Sequence, residues 1–137
     1  SAMIERLNLT NNVRLLTDYP YQMIPEVHSL ADIFVMPSVP LRHLREQYGM
    51  VLIEAMAMGK PVVSTYCGSI PEVVEDAGFL VPPADHLALS QAIDHLIRNP
   101  EARTEIGRKA RAIAETKYDA IKVSSKIHNI YQALLSE

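Results

Sequence analysis

Four short runs constrain this chain more than anything else in it: VRLLT (13–17), DIFVM (32–36), PVVST (61–65) and GFLVP (78–82). Each is apolar, rich in branched residues and closed by a turn signal. None alternates strictly between apolar and polar positions. That pattern suits strands covered on both faces, as in a parallel sheet held between helices. Helices are expected between them, over 22–30, 50–58, 70–76 and 86–98. The strand–helix rhythm predicts an α/β fold with right-handed crossovers.

Beyond residue 100 the pattern is helical throughout. Pro100 suits a first helical turn, and EARTEIGRKARAIAETKY opens acidic and continues basic, complementing the helix dipole. The last segment sets Val123, Ile127, Ile130, Tyr131 and Leu134 on one face of a further helix. No repeat or linker divides the 137 residues, so one domain is expected. Ser1-Ala2-Met3 reads as a cloning scar. Doubly wound nucleotide-binding domains commonly carry six strands. Four runs therefore predict either a small sheet or a chain that begins partway through a larger domain.

Charge and cysteine content exclude several classes of function. A formal net charge of −3 offers no basic surface for nucleic acid or anionic lipid. Cys67 is the sole cysteine, so no disulfide framework or cysteine-based metal set is expected. No apolar run approaches the roughly 18 residues of a membrane span, and no signal peptide opens the chain. The default setting is reducing and cytoplasmic. His28 and His43 are isolated, and no H-x-x-x-H or C-x-x-C spacing occurs, so no metal site is expected. His86, His95 and His128 read as surface residues. Dinucleotide and P-loop glycine motifs are absent.

The chemistry concentrates in EQYGMVLIEAMAMGKP (46–61), where every residue from Met50 to Met58 is apolar except Glu54. In an open parallel sheet, ligands bind at the carboxyl ends of strands, beside helix N-termini. The helix expected from Met50 starts behind Gly49 with no Ser, Thr, Asp or Asn to cap its free N–H groups. Such a start suits an anion or hydroxyl, and glycine lets a ligand approach the backbone. Glu54 lies about one turn inside, and its Cα–Cβ bond leans back toward the opening. Glu46 precedes it with seven residues between, so both carboxylates are expected to border one pocket. A carboxylate accepts two hydrogen bonds from a vicinal diol, which points to a sugar or ribose. The competing reading pairs Glu54 with Arg42, Arg45 or Lys60 as a structural ion pair, and makes Glu46 a solvated loop charge.

A second stretch, TYCGSIPEVVEDAG (65–78), carries a capping box: Ser69, with Pro71 in the first turn and Glu72 three positions on. That structural role accounts for Ser69 and Glu72. The functional reading adds that Gly68 and Ser69 bring backbone close to the same crevice. Cys67 reads as a small residue filling the turn.

Taken together, MPSVP, REQYGMVLIEAMAMGKPVVST and GSIPEVVEDAGFLVPPAD closely resemble the C-terminal domain of the group 1 (family 4) glycosyltransferases, from about Val13 through the tail. The resemblance implies a retaining enzyme of two-domain GT-B architecture, each half Rossmann-like. It implies that Glu46 lies near hydroxyls of the donor sugar and that Glu54 holds the ribose hydroxyls of a UDP- or GDP-linked sugar. Gly49, Met50 and Val51 would face the sugar and diphosphate. Catalysis would be electrostatic, with positive groups stabilising the departing nucleoside diphosphate, and no metal or cofactor is expected.

The departures are as informative. The family's two preceding strands, its diphosphate-gripping Arg/Lys pair and its acceptor-binding N-terminal domain are not in these 137 residues. Arg42 and Arg45 do not match that pair, and Ser69 stands where many members have glycine. The expected fold is thus a Rossmann-like parallel sheet with flanking helices, an incomplete GT-B C-terminal domain followed by a helical tail. Residues 1–137 form that partial domain and would not turn over alone; any peripheral attachment at the inner membrane would come from parts outside it. The apolar edge at 32–36 is expected either to pair directly with 13–17 or to be covered by self-association. The alternatives are a non-catalytic nucleotide-sugar-binding module and a sugar-nucleotide epimerase of similar architecture.

Overall fold

The computed structural model describes residues 2–40 and 48–136 of the chain. Its elements are α1 (Ala2–Arg6), a 3₁₀ turn (Tyr21–Met23) running into α2 (Ile24–Leu30), β1 (Phe34–Met36), α3 (Met50–Ala57), β2 (Val62–Thr65), α4 (Ile70–Val74), β3 (Gly78–Val81), α5 (His86–Arg98), α6 (Pro100–Lys117) and α7 (Ala120–Leu135). The strands form a parallel sheet in the order β1-β2-β3. Val35 pairs with Val63, and Val63 with Phe79.

Side chains alternate across a strand, and here each face meets its own apolar layer. Phe34, Val62 and Leu80 join Leu52, Met56, Ile70, Val74 and Ala110 beneath α3, α4 and α6. Val35, Val63 and Phe79 join Ala92 and Leu96 of α5 on the other side. All four residues of β2 are buried, which is why its sequence carries no polar alternation. The α/β fold with a Rossmann-like parallel sheet, flanking helices and a helical tail is the one expected.

Three contacts fix the layer that carries the site. A Cβ on Gly107 would lie 2.2 Å from the Gly59 carbonyl oxygen, so the backbone of α6 rests directly on the turn between α3 and β2. At the carboxyl ends of β1 and β2, Ser64 Oγ donates to the Met36 carbonyl at 2.6 Å and Thr65 Oγ1 to that of Ser38 at 2.5 Å. These buried hydroxyls tie down the chain as it leaves β1.

Some expectations fail. VRLLT (13–17) forms no strand; Val13, Leu15 and Leu16 are 40%, 60% and 54% exposed. The run has a strand's composition, but no strand among the described residues takes up its backbone groups, and a lone strand leaves them to water. Direct pairing of 13–17 with β1 therefore does not occur. The apolar face of α7 forms as expected but is not covered, since α7 has no buried residue. No helix among the described residues is long and apolar enough to cross a membrane.

Candidate functional site

Each crossover from a parallel strand starts its helix at the sheet's carboxyl edge, so α3 and α4 both open there. Gly49 is the N-cap of α3, in the left-handed region at φ 63°, ψ 51°, and as a glycine it brings no capping side chain of its own. The glycine stands at the helix start as expected, but it has a reason internal to the protein. Gly49 is buried, and a Cβ on it would meet Leu52 Cδ1 at 2.7 Å. Met50 and Val51, by contrast, are 56% and 36% exposed at the opening of a helix whose Leu52, Ile53, Ala55 and Met56 are buried.

Gly68 and Ser69 sit at the same edge, where α4 begins; its Ile70 and Val73 pack with Leu52, Ile53 and Met56 of α3. Ser69 is the N-cap of α4, with Pro71 in the first turn, but its side chain makes no cap hydrogen bond. The capping box is thus not formed. An N-cap normally has extended backbone, whereas Ser69 is at φ −87°, ψ 4°. Asp119, at φ −63°, ψ 123°, is extended and does cap α7, its carboxylate accepting from Lys122 N at 2.9 Å.

Glu54 turns away from the core toward the segment that precedes β1. Tyr21 Oη donates to Glu54 Oε1 at 2.8 Å. Glu54 Oε2 lies 3.7 Å from Nε2 of His28, with the two side chains 25% and 7% exposed respectively. The His28 ring is wedged edge-on to Phe34 of β1, centroids 5.3 Å apart, and its Nε2 is buried without a hydrogen-bond partner. A buried unpaired donor costs about 1–3 kcal/mol. The bond to Glu54, then its charge, then slight desolvation raise the Tyr21 pKa above its usual value of 10.0.

Lys60 is not the partner of Glu54; its Nζ donates to the Ser29 carbonyl at 2.8 Å. Glu46, Arg42, Arg45 and His43 lie outside the described residues. Tyr21 and His28 are the site residues that sequence reasoning missed. The available signal was His28 itself, on the same helical stripe as Ile24 and Val27, where a histidine faces inward. Cys67 is buried in the core, and His86, His95 and His128 are exposed, all as expected.

A hollow of about 120 Å³ also opens at the carboxyl edge, between Pro37, Val39, Thr65, Pro82 and the start of α5. It is well below the roughly 300 Å³ of small-molecule sites and does not include Glu54. The arrangement that can act on a ligand is therefore the open edge around α3. It combines one partly exposed carboxylate with a helix start behind a glycine N-cap, where Met50 and Val51 are exposed.

Residues 1–113 match the family model described as glycosyl transferases group 1. Over 106 residues the chain is 37% identical to phosphatidyl-myo-inositol mannosyltransferase of Mycobacterium leprae, covering 76% of this chain and 27% of that protein. A crystal structure of Anabaena HepE in complex with UDP superposes with a TM-score of 0.85 at 30% identity, covering 96% of this chain and 35% of that one. The C-terminal domain of a group 1 family protein (LpcC) from Francisella tularensis gives a TM-score of 0.71 at 26% identity, covering 87% and 60%. The chain thus spans only part of each: 27% of the mannosyltransferase and 35% of HepE.

Proposed function

The chain belongs to the group 1 glycosyl transferases, and on that premise we propose that it is the C-terminal, nucleotide-sugar-binding domain of a retaining hexosyltransferase of GT-B architecture. The observation that carries this reading is Glu54: a carboxylate one turn inside an apolar helix, partly exposed, and already accepting a hydroxyl donor. Tyr21 Oη–H stands where one of two ribose hydroxyls would donate. The start of α3 at exposed Met50 and Val51, behind Gly49, meets the diphosphate and sugar with helix N–H groups. Gly68 and Ser69 supply backbone at the same edge, and the role assigned to Glu46, toward the hydroxyls of the donor sugar, rests on the family motif alone.

HepE has been crystallised with UDP, with UDP and glucose, and with UDP-glucose. That supports a nucleoside diphosphate sugar as donor, UDP-linked in the first instance and GDP-linked as the other expected class. In this reading positive groups stabilise the leaving diphosphate. The acceptor hydroxyl arrives on the face the diphosphate leaves, and no metal or cofactor is invoked. The acceptor and the diphosphate-gripping cations belong to parts of the protein outside these residues, so this chain binds donor without turnover. The outer edge of β1, which lies at the end of the sheet among the described residues, is covered by a second copy of the chain.

Titration calorimetry with UDP, GDP and ADP tests the donor assignment. One of the diphosphates should bind, and Glu54→Gln should weaken it about 10- to 100-fold, the value of hydrogen bonds to a charged group. Binding that is indifferent to Glu54→Gln, or no binding by the folded chain, would overturn the reading.

A further inference from the structure

His28 is a buried, ionisable group to which the donor reading gives no role. Its ring is fixed between α2 and β1 against Phe34, and its Nε2 is shielded from water without a hydrogen-bond partner. The acceptor facing it is Glu54 Oε2, at 3.7 Å, just beyond hydrogen-bond length. The other carboxylate oxygen, Oε1, is held from outside by Tyr21, a residue 70% exposed on a short 3₁₀ turn. One carboxylate is thus gripped from two sides of unequal permanence. A ligand can replace the outer, exposed donor; it cannot replace a ring packed inside the protein.

We propose that His28 is a positioning residue for the ribose-binding carboxylate: its Nε2–H takes up Glu54 Oε2 when Tyr21 gives way to the ribose hydroxyls. A carboxylate oxygen has two lone pairs, so each oxygen can serve a ribose hydroxyl while Oε2 also keeps the histidine. The bond fixes the Glu54 rotamer, so both oxygens face the diol together. A small closing movement of the carboxylate satisfies the buried nitrogen at the same moment. The inference rests on the donor reading above, and it has a specific consequence. His28 acts only through Glu54, so its influence on binding is confined to the part of the ligand that Glu54 touches.

The test compares UDP with 2′,3′-dideoxy-UDP by titration calorimetry on the full chain. The wild-type protein should prefer UDP by about 10- to 100-fold, the worth of the charged hydrogen bonds lost with the diol. His28→Phe should bring that preference to within a few-fold while leaving the dideoxy affinity unchanged. His28→Gln, whose Nε2 can reach the same point, should restore the preference; His28→Asn, which is polar but too short, should not. The Gln–Asn contrast decides the matter if the phenylalanine variant does not fold. A preference retained in His28→Asn, or equal weakening toward both ligands in the variants, would overturn the positioning role while leaving the donor reading intact. No preference in the wild-type protein, or no binding of either ligand, would overturn both.

Discussion

Tyr21 and Glu54 are 33 positions apart in sequence, yet the tyrosine hydroxyl donates to Glu54 Oε1 at 2.8 Å. The phenol keeps its proton more tightly for that reason, and its pKa lies above 10.0. Because the folded-state value is raised, the contact contributes fully below the ordinary tyrosine pKa and is lost as pH rises through the higher, folded one. Absorbance titration of the six tyrosines should therefore show a late-titrating group that disappears in Tyr21→Phe. In that variant Tyr118 should still titrate late, because burial, foremost, raises its pKa too. In Glu54→Gln, Tyr21 should move down toward its ordinary range. A curve in which Tyr21→Phe removes only an ordinary step would mean that the bond does not form.

Gly49 predicts a local cost. At φ 63° an alanine would be strained by about 1–2 kcal/mol, and its Cβ would also displace the end of Leu52. Urea unfolding of Gly49→Ala should show that loss. Gly49→Asn should lose less, because asparagine visits the left-handed region more readily.

Gly107 sets two effects against each other. Alanine would favour the helix by up to about 1 kcal/mol, but its Cβ would sit 2.2 Å from the Gly59 carbonyl. That neighbour is backbone, which can yield only by lifting α6 off the α3–β2 turn, and overpacking typically costs about 1–3 kcal/mol. The clash should win, so Gly107→Ala should be net destabilised in thermal unfolding. Nucleotide affinity of the folded protein should hardly change.

Val13, Leu15 and Leu16 are exposed, and the β1 edge of the sheet carries no partner strand among the described residues. Size-exclusion chromatography with light scattering should show a dimer that dissociates on dilution. A monomer at every concentration would remove self-association from the account.

Where sequence and structure agree, the physics was local. The strands at 34–36, 62–65 and 78–81 lie within the runs that composition marked, because branched residues buried on both faces leave a continuous apolar signature. The run at 13–17 has the same signature without a partner, and pairing is not a local property. Glu54 was legible because a lone charge in an apolar helix is anomalous. Its partners were not, since Tyr21 and His28 reach it only through the packing of α2 against α3 and β1. Ser69 shows the opposite error: its residue type and spacing suited a cap, but the backbone angle that would aim the hydroxyl was not readable from type. Glu46 lies outside the described residues.

The measurement that bears most directly on the central claim is an amide chemical-shift titration of this chain with UDP, GDP and ADP, repeated with Glu54→Ala. One nucleotide should shift the amides from Gly49 to Glu54, with Tyr21 and His28 following, and these shifts should be lost in the variant. Shifts that cluster elsewhere, or that persist unchanged in Glu54→Ala, would contradict it.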